Sequence, residues 1–142
     1  MSTRPDTSSA LAGLKDFQTA TVNYVFDRFY GPDPTRRFLV ADEVGLGKTL
    51  VARGVIARTI DHLWNEVSRN EERRIDVIYI CSNADISRQN IDRLKIPGCE
   101  EAAQATRLTL LPLQMQDFGD VNFVALTPAT SFEQTGGGGR IV

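Results

Sequence analysis

The sequence predicts an α/β protein with a parallel sheet flanked by helices, and three observations carry that expectation. The short unbroken apolar run Phe38-Leu39-Val40-Ala41 and the largely apolar Asp76 to Cys81 have the look of strands buried on both faces. Longer stretches of helical apolar spacing alternate with them. A glycine-rich turn joins the first apolar run to the longest helical stretch, which is a strand-turn-helix junction.

From the N-terminus, residues 1–12 are rich in Ser and Thr and are expected to be a flexible tail. Leu14, Phe17, Val22, Val25 and Phe29 recur at helical spacing and predict an amphipathic helix. Gly31-Pro32-Asp33-Pro34 ends it, because proline fixes φ and removes a backbone donor. After the strand at 38–41 and the glycine turn, Ala52, Val55, Ile56, Ile60, Leu63 and Val67 mark one face of a long helix. The second strand follows at Asp76 to Cys81. Ser82-Asn83-Ala84-Asp85 is a helix start, and Ile86, Ile91 and Leu94 carry that helix to Pro97-Gly98. Arg107 to Leu111 and Val121 to Leu126 are further strand candidates. Gly136 to Gly139 form a flexible or surface-exposed end.

Composition narrows the functional classes little. The 142 residues have room for one domain, and a formal charge of -2 gives no basic footprint for nucleic acid while leaving a local contact surface possible. Cys81 and Cys99 have no ligand-like spacing to each other or to His62 and are expected to be reduced thiols. No secretory leader or membrane-length apolar run is seen, so a cytoplasmic location is expected. His62 and Trp64 are expected at a boundary and in packing respectively. Arg36, Arg37, Arg73 and Arg74 are expected to be solvated.

The chemistry concentrates in Asp42-Glu43-Val44-Gly45-Leu46-Gly47-Lys48-Thr49. A phosphate chain carries several negative charges and needs many donors at once. Gly45 and Gly47 let the backbone curl so that successive N–H groups point inward as a nest. The helix opening at Lys48 adds the positive end of its dipole. Lys48 is placed to reach the β- and γ-phosphates of ATP, and the Thr49 hydroxyl to reach Mg²⁺. The usual pattern has a glycine where this chain has Asp42.

That departure is itself informative. The string from Leu39 to Thr49 closely resembles the first motif of the Swi/Snf-like branch of superfamily 2 helicases and translocases, where an Asp-Glu pair precedes Gly-x-Gly-Lys-Thr. The resemblance implies a P-loop NTPase, here an incomplete RecA-like lobe over residues 13–135, with ATP and Mg²⁺ as cofactors and Lys48 as the catalytic contact. It implies that residues 42–49 bind the nucleotide. Leu14-Lys15-Asp16-Phe17-Gln18 resembles the family's adenine-reading element, so the Gln18 amide is expected to pair with the base edge. The family's nucleic-acid contacts at strand ends map onto Ser82 and Asn83 and onto Thr127. The partner implied is nucleic acid, with double-stranded DNA the substrate this branch favours.

Hydrolysis in that family also needs a second Asp-Glu pair on a strand flanking the phosphate loop, and an arginine from a second lobe. Asp42-Glu43 is the only Asp-Glu dipeptide here and leads directly into the loop, so it does not fill that role. The expectation is the N-terminal portion of an ATP-dependent helicase or translocase, broken off near the glycine run at 136–142 and inactive by itself. Two alternatives remain open: a non-catalytic ATP-binding regulatory module, and a small P-loop kinase.

Overall fold

A computed structural model describes residues 4–41, 43, 45–66, 74–99, 102–105 and 119–127. Its elements in chain order are α1 (Ser8–Ala12), α2 (Asp16–Tyr30), α3 (Lys48–Glu66), β1 (Ile75–Ile80), α4 (Ala84–Leu94), β2 (Ala102–Ala105) and β3 (Val121–Leu126). The strands form a three-stranded sheet of order β1-β3-β2. Both pairings are parallel, with Ile75 opposite Val121 and Ala102 opposite Phe123. The fold is thus mixed α/β with a parallel sheet, as the alternation of elements predicts.

Every residue of β3 is buried, as expected for a central strand, and its one polar residue, Asn122, donates through Nδ2 to Asp76 Oδ1 at 2.9 Å. Val121, Phe123 and Ala125 point into the main core, where they meet Ala57, Ile60 and Trp64 of α3 and Ile91 and Leu94 of α4. Trp64 is therefore a packing residue. β1 differs from the fully buried strand expected. Ile75, Val77 and Tyr79 face the helices, whereas Ile78 and Ile80 on the alternate face are 56% and 64% exposed. The reason is position: β1 lies at the edge of the described sheet, and α3 and α4 cover only one of its faces.

The run at 38–41 is not a strand. Leu39 is 83% exposed, and Phe38 instead places its ring edge-on to Tyr24 and Phe29 of α2, with centroids 5.8 and 6.5 Å away. Strand geometry needs a neighbour to hydrogen-bond, and none of the three described strands lies beside this segment.

The N-terminal segment is also more ordered than a tail. α1 buries Ala10 against the core, the Asp6 N–H donates to the Pro97 carbonyl at 2.9 Å, and Arg4 pairs with Asp61 on α3. Asp6 accepts from the Ser8 hydroxyl at 2.6 Å and the Ser9 N–H at 3.3 Å, which holds its carboxyl below the usual range. These anchors are distant in sequence, so local composition does not reveal them. Of the remaining expectations, Met1 to Thr3, Val67, Arg73, the strand at Arg107 to Leu111, and everything from Pro128 through the glycine-rich end lie outside the described residues. Among the described residues no helix is long and apolar enough to cross a membrane.

α3 is central to the helical layer, and its buried line is Val51, Gly54, Ala57, Ile60 and Trp64. The sequence pattern pointed to a neighbouring line through Ala52 and Ile56. The face turns because α3 must satisfy α2 on one side and the sheet with α4 on the other. Gly54 is where α2 comes closest: a Cβ there would sit 2.7 Å from Val22 Cγ2 and 3.0 Å from Leu14 Cδ1. Helix propensity alone makes Gly54→Ala stabilising by about 1 kcal/mol. Overpacking against a stiff β-branched side chain costs about 1–3 kcal/mol and is expected to prevail. Urea denaturation of Gly54→Ala is predicted to give a lower midpoint than wild type; a higher one contradicts this packing.

Candidate functional site

The glycine loop takes the shape its residues allow. Gly45 and Gly47 have φ of 92° and 80°, the left-handed region that side-chain-bearing residues avoid. The second of these turns feeds straight into α3, whose first backbone bonds run from the Leu50 and Val51 N–H groups to the Gly47 carbonyl at 2.8 and 3.1 Å. The Leu46 N–H approaches the Glu43 carbonyl at 3.5 Å. Lys48 curls back so that its ammonium donates to that same carbonyl at 2.9 Å. Of the loop residues singled out in the sequence, Asp42 and Val44 lie outside the described residues. Glu43, Gly45, Leu46, Gly47, Lys48 and Thr49 are brought together within this one turn.

Gln18 reaches the same turn from α2, although 28 residues separate it from Leu46. Its side chain is 4% exposed. The Lys15 N–H donates to Gln18 Oε1 at 3.0 Å, as the third helical residue does in a capping box, and Gln18 Nε2 donates to the Leu46 carbonyl at 3.0 Å. Both ends of the amide are engaged with the protein. Pairing with an adenine edge through the same two atoms requires these bonds to open.

Beside the loop lies a cavity of about 280 Å³ between α3, β1 and α4. Lys48 and Thr49 line it with Ala52, Ile56, Val77, Ile78, Tyr79, Asn90 and Leu94. Asn90 Nδ2 donates to the Tyr79 hydroxyl at 2.9 Å, a polar pair in the wall that α4 and β1 contribute. Neither residue stands out in the sequence: Tyr79 sits inside an apolar strand, and a single asparagine on a helix carries no signal. The Thr49 hydroxyl is one oxygen donor of the kind Mg²⁺ accepts. That fits an ion that keeps several waters and arrives with phosphate oxygens. Among the described residues no group of three or more His, Cys, Asp or Glu side chains is placed to hold a metal.

The parallel register brings the expected nucleic-acid positions to one end of the sheet. Ile80 lies opposite Leu126, and the Cys81 N–H donates to the Leu126 carbonyl at 3.1 Å. Ser82, Asn83 and Thr127 therefore follow the carboxyl ends of adjacent strands, the side of a parallel sheet where ligands usually bind. Ser82 is exposed and Thr127 partly buried. Asn83 has a structural duty: its Oδ1 accepts from the Asp85 and Ile86 N–H groups at 2.9 and 3.0 Å and caps α4. The two cysteines are free; burial pushes the Cys99 thiol up to about 11, so it stays protonated near neutral pH. His62 sits at a boundary, its ring 4.4 Å from that of Tyr30 and Nε2 3.4 Å from a Glu66 carboxylate oxygen. Arg36 and Arg37 are exposed, and Arg74 bonds Asp76 with Nε 3.0 Å from Oδ2.

Compared with models of known protein families, with curated proteins and with solved structures, the chain gives no match.

The capping role of Asn83 separates by substitution from the nucleic-acid contact expected of it. Asn83→Ala removes the cap and is expected to cost about 1 kcal/mol of stability. Asn83→Asp keeps an N-cap acceptor and is expected to hold stability near wild type by thermal unfolding, while weakening any contact to a nucleic-acid phosphate through like charge. Equal stability of Asn83→Ala and wild type contradicts the capping role.

Proposed function

We propose that this chain binds the phosphates of ATP at Gly45 to Thr49, as the nucleotide-binding portion of an ATP-dependent helicase or translocase acting on nucleic acid. On this reading the fold is an incomplete RecA-like lobe of a P-loop NTPase. One observation carries the proposal: two glycines at positive φ turn directly into the N-terminus of a 19-residue helix whose first residues are Lys48 and Thr49. That combination offers a nest of backbone donors, a helix dipole and a mobile ammonium to one anion.

Each group has its part. The Lys48 ammonium, which donates to the Glu43 carbonyl, finds stronger acceptors in charged phosphate oxygens. Thr49 offers its hydroxyl to Mg²⁺, which when bound neutralises phosphate charge. The cavity lined by Lys48, Thr49 and β1 is adjacent to this anion site. Ser82 and Thr127, at the carboxyl ends of β1 and β3, are the candidates for sequence-independent contact with a nucleic-acid backbone, double-stranded DNA being the form favoured by the resemblance of the loop.

The sequence supplies no second Asp-Glu pair, so the proposal assigns binding to these residues and turnover to an intact motor with further strands and a second lobe. The same fact favours the second reading, a non-catalytic ATP-binding regulatory module. Nucleic-acid-stimulated hydrolysis in a longer chain separates the two. A small kinase finds less support, since nothing in the described cavity resembles a phosphoryl-acceptor site.

Calorimetric titration of the 142-residue chain with Mg·ATP is expected to show binding that weakens roughly 10- to 100-fold in Lys48→Ala, the range of a lost charge-assisted hydrogen bond. Phosphate release is expected to stay at background for both. Unchanged affinity in Lys48→Ala contradicts the phosphate-binding reading. Wild-type turnover that vanishes in Lys48→Ala contradicts the assignment of binding alone.

A further inference from the structure

We infer that Gln18 is a positioning residue for the anion site: it fixes the Leu46–Gly47 peptide so that the Gly47 N–H faces the phosphates. This rests on the phosphate-binding reading above and gives Gln18 a role different from reading the base.

The geometry of a single peptide sets the direction of the Gly47 N–H. Among the described residues every peptide is trans. In a planar trans peptide the carbonyl of one residue and the N–H of the next point in opposite directions. Gln18 Nε2 holds the Leu46 carbonyl toward α2 at 3.0 Å. The Gly47 N–H is thereby aimed away from α2, to the side of the turn on which the next residues begin α3. Without that bond the peptide is free to flip. A flip turns ψ of Leu46 and φ of Gly47, and Gly47 tolerates either sign of φ, so on that side the flip meets little steric resistance. A flipped peptide would present a carbonyl oxygen to the phosphates in place of a donor.

Three further observations show that Gln18 is built for this contact. Its Oε1 is pinned by the Lys15 N–H at 3.0 Å, which fixes which end of the amide faces the loop. Its side chain is nearly completely buried, so the bond to Leu46 is shielded from competing water. The approach is close enough that a Cβ on Gly47 would lie 2.5 Å from Nε2. Gly47 is thus required twice, for its φ and for the room it leaves to Gln18. The distance between α2 and the loop is in turn set by the tight crossing at Gly54 and Val22, which places Gln18 one turn before the contact.

Base reading and loop positioning make opposite predictions for a ligand without a base. Inorganic tripolyphosphate and ATP are titrated separately into wild type, Gln18→Met and Gln18→Asn. Methionine keeps the buried volume but cannot donate. Asparagine is neutral and polar but too short to reach Leu46. Both variants are expected to lose affinity for the two ligands by the same factor, roughly 3- to 10-fold, the worth of one neutral hydrogen bond. In both, the Gly47 amide resonance is expected to shift while those of Ile60 and Phe123 in the core stay in place, a signature that general loosening of the fold does not produce. If one variant loses its native spectrum, the other decides.

Loss of ATP affinity with tripolyphosphate affinity unchanged would overturn the positioning role in favour of base reading. An unmoved Gly47 resonance would overturn it as well. Failure of wild type to bind either ligand is a different result: it overturns the phosphate-binding reading itself, and the positioning role falls with it.

Discussion

Helix α3 is the element on which the rest of the described structure depends, because it is buried on two sides at once. α2 crosses it at Gly54, so closely that no side chain fits between them, while Ala57, Ile60 and Trp64 close over β3 and α4. A helix held this way has a fixed first turn, and that first turn begins at Lys48. The glycine loop therefore hangs from a rigid support at one end. At its other side it is tied to α2 through Gln18. The same close crossing that stabilises the helical layer thus sets the reach of the tie.

The loop concentrates donors without a compensating cluster of carboxylates among the described residues. Positive φ at Gly45 and Gly47 curls the backbone, and the Lys48 ammonium folds onto the Glu43 carbonyl, a neutral partner that a charged oxygen outcompetes. Under the proposed function, this contact keeps Lys48 near its working position. The sheet contributes differently. Its parallel strands bring Ser82, Asn83 and Thr127 to one rim, with Asn83 committed to the α4 cap. This leaves Ser82 and Thr127 as the freer candidates for an outside contact.

Much of this was legible in the sequence, for identifiable reasons. Val121 to Leu126 reads as a strand because five of its six residues are apolar; the bond from Asn122 to Asp76 that accommodates the sixth is non-local. α3 and α4 read as helices because their apolar residues follow a helical period and Ser82 to Asp85 form a capping pattern, in which Asn83 rather than Ser82 proves to be the cap. What escaped was non-local. α1 is too short to show a period, and its hold on the fold comes from Pro97 and Asp61, far along the chain. β2 reads Ala-Ala-Gln-Ala, with no β-branched or aromatic residue to announce a strand. The run at 38–41 has strand composition but lacks a neighbour among the described strands, and composition cannot report a missing neighbour. Gln18 was singled out for its amide. That the amide is spent on Lys15 and Leu46 depends on the α2–α3 crossing, which no spacing rule encodes.

The central claim, that the turn from Gly45 to Thr49 is an anion site, is tested most directly by following backbone amide resonances while tripolyphosphate is added to the intact chain. The Gly45, Gly47, Lys48 and Thr49 amides are predicted to shift together and saturate with one affinity, while resonances remote from the loop, such as Trp64 near the other end of α3, stay still. Saturable shifts confined to another surface, or none at all, would contradict it.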